Sequence, residues 1–131
     1  MPHRKHILLV EDDADVRAQI GVLIEMLGYV VHMAGDVDEA RKTFAANRID
    51  LVLSDLWMPG GDGTQLLQEF KAAKPDLPVI ILTGAPSQDT IIKTLLAEGF
   101  AYVTKPLQGD QLRVLLERAL DAKHIEHPAK S

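Results

Sequence analysis

Five polar residues that could do phosphoryl chemistry follow apolar runs of this sequence, each where a run ends. Glu11 and Asp12 follow the first run, and Asp55 closes the third. Thr83 follows the fourth run and Lys105 the fifth. Carboxylate oxygens suit a hard cation such as Mg²⁺, and an ammonium or a hydroxyl can bind phosphoryl oxygens. Because a carboxylate can also accept a phosphoryl group, the set predicts metal-assisted phosphoryl transfer.

The apolar runs themselves predict five short buried strands. Each run is bounded by turn-forming or polar residues, and the fourth is half isoleucine. The third strand cannot continue past Met58, because Pro59 lacks a donor and the glycines after it favour positive φ. The predicted strands are Ile7–Val10, Tyr29–Met33, Leu51–Ser54, Val79–Leu82 and Ala101–Thr104.

Helical patterns separate and follow these strands. Asp13 is a candidate N-cap for the first helix, and Gly28 ends it at the C′ position. Strict alternation of strand and helix favours a parallel sheet with helices on both faces, so the polar strand ends converge on one edge if their strands are neighbours. The later helices are predicted at about Val37–Ala46, from Gly63 to Lys74, from Pro86 to Glu98, and at about Gly109–Ala122.

Length and composition indicate one domain. The chain has 131 residues, 47% of them hydrophobic, and no cysteine, which excludes disulfides and thiol chemistry. A net charge of −5 argues against direct nucleic-acid or membrane binding. The apolar run after the basic N-terminus is too short for a signal peptide or a membrane span, so we expect a cytoplasmic location. We divide the chain into an N-terminal tail (1–5), a domain (6–121) and a polar tail or linker start (122–131).

Five motifs in order resemble the receiver domain of two-component response regulators, over about residues 6–121. The resemblance implies a flavodoxin-like, doubly wound (βα)5 fold with a five-stranded parallel sheet in the order 2-1-3-4-5. It also implies a phosphorylation-dependent signalling switch that catalyses only its own phosphoryl transfer and loss. The motifs are Val10–Asp13, Ser54–Pro59, Asp62–Gly63, Leu82–Gly84 and Tyr102–Pro106.

The resemblance assigns the acids to phosphoryl acceptance and metal binding. Asp55 is expected to accept the phosphoryl group from a histidine kinase or a phosphotransfer protein. Asp12, Asp55 and the backbone carbonyl of Trp57 are expected to bind Mg²⁺ or Mn²⁺, with Glu11 acting through a metal-bound water. Many members of the family have aspartate where this chain has Glu11, and the longer side chain could shift that water-mediated contact.

The resemblance also assigns the switch. Lys105, Thr83 and Gly84 are expected to bind the phosphoryl group, and Thr83 and Tyr102 to move on activation. The Lys105–Pro106 peptide is expected to be cis. The signal is expected to pass through the fourth helix, the fifth strand and the last helix to a homodimer or an output domain.

Three other functions fit part of the pattern. A metal-dependent phosphohydrolase with an aspartyl nucleophile usually has a second aspartate two residues on, where this chain has Trp57. A flavodoxin-like flavin carrier would need a hydroxyl- and glycine-rich first loop instead of three acids. A docking module that is never phosphorylated would not need the full set of acids, threonine and lysine.

Overall fold

The computed structural model of the protein describes residues 4–58, 61–84, 100–105 and 107–129. Seven strands and four helices lie within these ranges. The strands are β1 (His6–Val10), β2 (Val30–Ala34), β3 (Leu51–Asp55), β4 (Trp57–Met58), β5 (Gly61–Asp62), β6 (Val79–Thr83) and β7 (Ala101–Thr104). The helices are α1 (Ala14–Met26), α2 (Val37–Ala46), α3 (Gly63–Ala73) and α4 (Gly109–Ala129).

Five of the strands form one parallel sheet in the order β2-β1-β3-β6-β7. Counted among themselves, these strands have the order 2-1-3-4-5, which confirms the predicted doubly wound fold. The register pairs Val10 with Ser54 and Asp55 with Leu82, so the carboxyl ends of β1, β3 and β6 lie side by side. The polar residues at those ends therefore share one edge of the sheet.

The hydrophobic core has two layers, one on each face of the sheet. Successive residues of β1 alternate between them: Leu8 and Val10 pack on the side of α2 and α3, whereas Ile7 and Leu9 pack on the side of α1 and α4. All four side chains are completely buried. Burial of both faces explains why the strand runs continuously apolar instead of alternating with polar residues.

Helix α1 follows its predicted pattern and explains a glycine in its interior. The Asp13 carboxylate accepts hydrogen bonds from the backbone N–H groups of Asp15 and Val16, which confirms the N-cap. A Cβ atom on Gly21 would lie 2.8 Å from the Met33 sulfur, so the Met33 side chain of β2 lies directly over this glycine. A larger residue at position 21 would gain helix propensity but would require the Met33 side chain to move.

Several elements differ from the prediction. Strand β1 begins one residue earlier, β2 lies one residue later and β6 ends one residue later than predicted. Helix α4 continues to Ala129 instead of ending near Ala122, since neither glycine nor proline interrupts residues 110–127. Strand β3 includes Asp55, and the segment after it forms a two-stranded antiparallel ribbon, with Trp57 opposite Asp62.

The helix predicted over 86–98 lies outside the described residues, and the domain boundary near residue 121 stays a prediction. Within the described ranges, the helices are too short or too polar to cross a bilayer.

Candidate functional site

Three carboxylates converge at the carboxyl edge of the sheet. Glu11 directly follows β1. Its N–H donates to the carbonyl of Ala34, the last residue of β2, at 3.0 Å. Asp55 is the last residue of the neighbouring β3. One carboxylate oxygen each from Glu11, Asp12 and Asp55 lie within 4.8 Å of one another. The predicted convergence of these acids is therefore present in the structure.

The three acids differ in exposure to solvent. Glu11 is 1% exposed and Asp55 is 9% exposed, whereas Asp12 lies at the surface. If the Glu11 and Asp55 carboxylates are charged, they need compensating partners, because burial of a charge without a partner costs free energy. The cluster is thus closed on the side of Glu11 and open to solvent on the side of Asp12.

Lys105 supplies a compensating charge. Its Nζ donates to Asp55 Oδ2 at 2.9 Å and lies 2.7 Å from Glu11 Oε1. Burial by itself would lower the pKa of Lys105, but its contacts with the Glu11 and Asp55 carboxylates outweigh burial, so the pKa is raised above its ordinary value. Lys105 therefore stays charged and joins two acids from different strands.

Backbone contacts fix the acids, and the sequence analysis did not identify them. The Asp13 N–H donates to Glu11 Oε2 at 3.1 Å, and Arg17 Nη1 donates to the Glu11 carbonyl at 2.7 Å. The Ser54 hydroxyl donates to the Asp55 carbonyl at 2.7 Å. Nothing in the residue pattern separates Arg17 from an ordinary solvent-exposed helix cation, so only the folded chain shows this role.

The other predicted site residues end or follow strands at the same edge of the sheet. Thr83 is the last residue of β6 and pairs in register with Thr104 of β7; its side chain is outside the described atoms. Gly84 follows it at the surface, and a Cβ atom there would meet nothing within 4 Å in the part of the chain that the structure describes. Trp57 begins β4, two residues after Asp55.

The switch residues are only partly described. Tyr102 lies on β7 opposite Ile81 and is 42% exposed, so its ring has access to solvent in this conformation. Pro106 lies outside the described residues, and the expected cis peptide between Lys105 and Pro106 stays a prediction. The roles of Thr83 and Tyr102 as switch residues also stay predictions.

The donor set suits a hard divalent cation. Three carboxylates and one ammonium leave a formal excess of two negative charges in the cluster. Two such carboxylates about 5 Å apart repel by roughly 3 kcal/mol at an effective dielectric of about 20. Glu11 Oε1 is buried and, among the described residues, has the Lys105 ion pair but no hydrogen bond in good geometry. Oxygen donors, excess negative charge and an open side at Asp12 together fit Mg²⁺ or Mn²⁺.

Comparison with known proteins identifies the family. The family profile described as the response regulator receiver domain matches residues 7–117. The chain is 30% identical over 126 residues to the nitrogen assimilation regulatory protein NtrX of Azorhizobium caulinodans, covering 95% of this chain and 28% of that protein. It is 33% identical over 123 residues to the response regulator protein PilR of Pseudomonas aeruginosa, covering 94% of this chain and 28% of that protein.

Solved structures agree in fold over nearly the whole chain. A CheY-like response regulator receiver domain protein from Methanospirillum hungatei superimposes with a TM-score of 0.85 at 28% identity, covering 95% of this chain and 99% of that one. A receiver domain protein from Clostridium thermocellum gives a TM-score of 0.80 at 30% identity, covering 92% and 98%. The chain spans little more than a quarter of the curated relatives above but almost all of these two structures. The match over residues 7–117 places this chain in the family of response regulator receiver domains.

Proposed function

We propose that the chain is a phosphorylation-dependent signalling switch that accepts a phosphoryl group on Asp55. The observation that carries the proposal is the position of Lys105, whose Nζ lies 2.9 Å from Asp55 Oδ2 at the edge where Asp12 opens the cluster to solvent. A nucleophilic carboxylate, a fixed ammonium and an exposed second acid are the groups that phosphoryl transfer to aspartate requires.

The transfer step is an in-line displacement at phosphorus. A carboxylate oxygen of Asp55 forms the new O–P bond while the P–N bond of a donor phosphohistidine breaks, and the bonding pair leaves with the donor imidazole. Lys105 is placed to balance charge on the transferred oxygens, because its ammonium already contacts Asp55. Asp12, Asp55 and the Trp57 carbonyl, with Glu11 acting through water, would hold Mg²⁺, which would supply further positive charge to those oxygens.

The backbone contacts around the acids support a site that is organised before the donor arrives. Glu11 is held through its carboxylate by Asp13 and through its carbonyl by Arg17. Asp55 is held at the end of a fully buried strand, with Ser54 bonded to its carbonyl. Fixing these groups in advance lowers the reorganisation needed during transfer.

The proposed output surface lies on β7 and α4, together with the helix predicted over 86–98. Strand β7 is an edge strand, and Tyr102 is 42% exposed on it. Beside it, a cavity of about 490 Å³ lies between β7 and α4, with Val103, Val114 and Leu115 among its lining residues. An accessible apolar surface on β7 and α4 supports signal relay to a second copy or an output domain.

The wider role follows from the same proposal. The partner that delivers the phosphoryl group is a histidine kinase or a phosphotransfer protein, and the setting is cytoplasmic. No separate substrate is turned over. The second residue after Asp55 is Trp57, which leaves no carboxylic acid at the position that a phosphohydrolase of this type uses as its general acid.

Tryptophan fluorescence tests metal binding and phosphoryl binding together, because the single tryptophan is two residues from Asp55. Mg²⁺ should change the fluorescence of Trp57, and beryllofluoride should then produce a second change. In Asp55→Asn the second change should be absent. If beryllofluoride acts equally on the variant, or has no effect on the native protein after metal has bound, the proposed role of Asp55 is wrong.

A further inference from the structure

Two histidines on neighbouring strands lie in contact outside the acidic cluster. His6 is the first residue of β1, and His32 is the central residue of β2, the edge strand. His6 Nδ1 and His32 Nε2 are 2.9 Å apart, and both residues are half-buried. Neither belongs to the motifs of the receiver family, and the proposed phosphoryl chemistry does not use them.

The two rings meet in line through their nitrogens. Their centroids are 5.1 Å apart and their planes differ by 17°. With the two nitrogens 2.9 Å apart, a centroid separation of 5.1 Å is close to the largest possible, so the nitrogens lie between the two rings and face each other. Because the planes differ by only 17°, the rings lie nearly in one plane. In neutral imidazoles one nitrogen then donates and the other accepts, and the pair shares a single proton.

The surroundings of His32 favour its uncharged form. Burial lowers the pKa of His32 below its ordinary value, and the positive charge that His6 can carry lowers it further. Among the described residues, neither imidazole forms an ion pair with a carboxylate. The nearby Asp50 carboxylate instead accepts the His6 backbone N–H at 2.8 Å and contacts Arg48. The lowered pKa favours His32 as an uncharged ligand.

We propose that His6 and His32 form a two-imidazole binding site for a divalent transition metal ion that imidazole binds well, such as Ni²⁺ or Cu²⁺. Their contacting nitrogens lie 2.9 Å apart, the distance of a hydrogen bond. Because both nitrogens are this close, both can reach one ion once the rings have turned. This site is separate from the acidic cluster, which offers only oxygen donors.

Binding requires a small rearrangement of the rings. Each ring turns so that both nitrogen lone pairs point at one ion, while the backbone stays in place. The shared proton moves through solvent to the outer nitrogen of its own ring, so the neutral pair takes up the ion without changing its proton count. Because β2 is an edge strand, water can complete the coordination from the open side. A bound ion would then join β1 to β2 and stabilise the folded chain.

Calorimetric titration with NiCl₂, paired with thermal melts, tests the site. All proteins carry Asp12→Asn, so that the acidic cluster contributes less to Ni²⁺ binding. The parent, which carries Asp12→Asn alone, should bind one Ni²⁺ per chain and melt at a higher temperature with Ni²⁺ than with EDTA. His32→Gln keeps a hydrogen-bond acceptor for His6 but removes an imidazole ligand, and should weaken binding at least about tenfold.

A second variant tests the two histidines near the C-terminus, while His3 is present in every protein compared. His124 and His127 stand three residues apart near the C-terminus and could bind Ni²⁺ themselves. The double variant His124→Ala/His127→Ala should keep Ni²⁺ affinity within about twofold of the parent. Equal affinity in the parent and a folded His32→Gln variant would overturn the proposal, as would loss of binding in the double variant. Neither result bears on phosphorylation of Asp55, which mass spectrometry reports independently.

Discussion

Lys105 Nζ lies 2.7 Å from Glu11 Oε1, so a lysine that follows β7 reaches past β6 and β3 to a carboxylate that follows β1. The same ammonium also contacts Asp55. Because Glu11 is almost completely buried, solvent cannot stabilise a charge on its carboxylate, and the contact with Lys105 does so instead. The ion pair makes stability depend on a residue whose proposed role is phosphoryl binding.

Lys105→Met should therefore destabilise the metal-free protein. The variant leaves Glu11 and Asp55 without their shared cation, and the free energy of unfolding should fall by about 1–3 kcal/mol. Urea denaturation in EDTA measures the change. Arg113→Met is the matched control, because Arg113 forms an exposed pair with Glu117 at 3.5 Å and its loss should cost under about 0.5 kcal/mol. Equal effects of the two substitutions would contradict the compensating role of Lys105.

Asp12→Asn should have the opposite effect on metal-free stability. Removing one of three clustered carboxylates relieves repulsion, and the exposure of Asp12 limits the gain to about 1 kcal/mol, or a few degrees in melting temperature. The same change should abolish the stabilisation by Mg²⁺. Thermal melts in EDTA and in Mg²⁺ report both effects, and a lower melting temperature in EDTA would show that the acids are not strained.

Asp50 should make stability fall in acid. Burial raises its pKa, but the His6 N–H and the charges of Arg48 and Lys5 outweigh burial, so the pKa lies below its ordinary value. A lowered pKa in the folded state contributes stability above about pH 4, and this stability is lost as the pH falls through the folded-state value. Urea denaturation between pH 7 and pH 3 should show a smaller acid loss in Asp50→Asn, which keeps an acceptor for His6. If the variant lost as much stability in acid as the native chain, Asp50 would be excluded as a source of the acid-dependent loss.

Gly63→Ala should be strongly destabilising. A Cβ atom there would lie 2.5 Å from the Leu56 carbonyl oxygen, a backbone atom that cannot rotate away. The free energy of unfolding should fall by about 2–3 kcal/mol, as measured by urea denaturation. Gly84→Ala provides the control, since no atom of the described residues lies within 4 Å of its Cβ position. If both substitutions had little effect, the close approach at Leu56 would not be a constraint.

The sheet and the acidic cluster could be predicted because local patterns determine them. Continuous apolar runs predict strands that are buried on both faces, and parallel pairing then brings Glu11 and Asp55 to one edge. Contacts formed by the reach of long side chains could not be predicted. Arg17 on the Glu11 carbonyl and Lys105 on Glu11 depend on the relative positions of separate elements, which the residue pattern does not record. The contact between His6 and His32 likewise depends on the register of β1 against β2.

Intact-protein mass spectrometry after incubation with acetyl phosphate tests the central claim most directly. The native chain should gain one phosphoryl group in Mg²⁺ and none in EDTA, and borohydride trapping should place the group on Asp55. Asp55→Asn should gain none, whereas Asp50→Asn, which alters an acid at the other end of β3, should behave like the native chain. Phosphorylation of the Asp55→Asn variant, or no adduct on a native chain that binds Mg²⁺, would contradict the assignment of Asp55 as the phosphoryl acceptor.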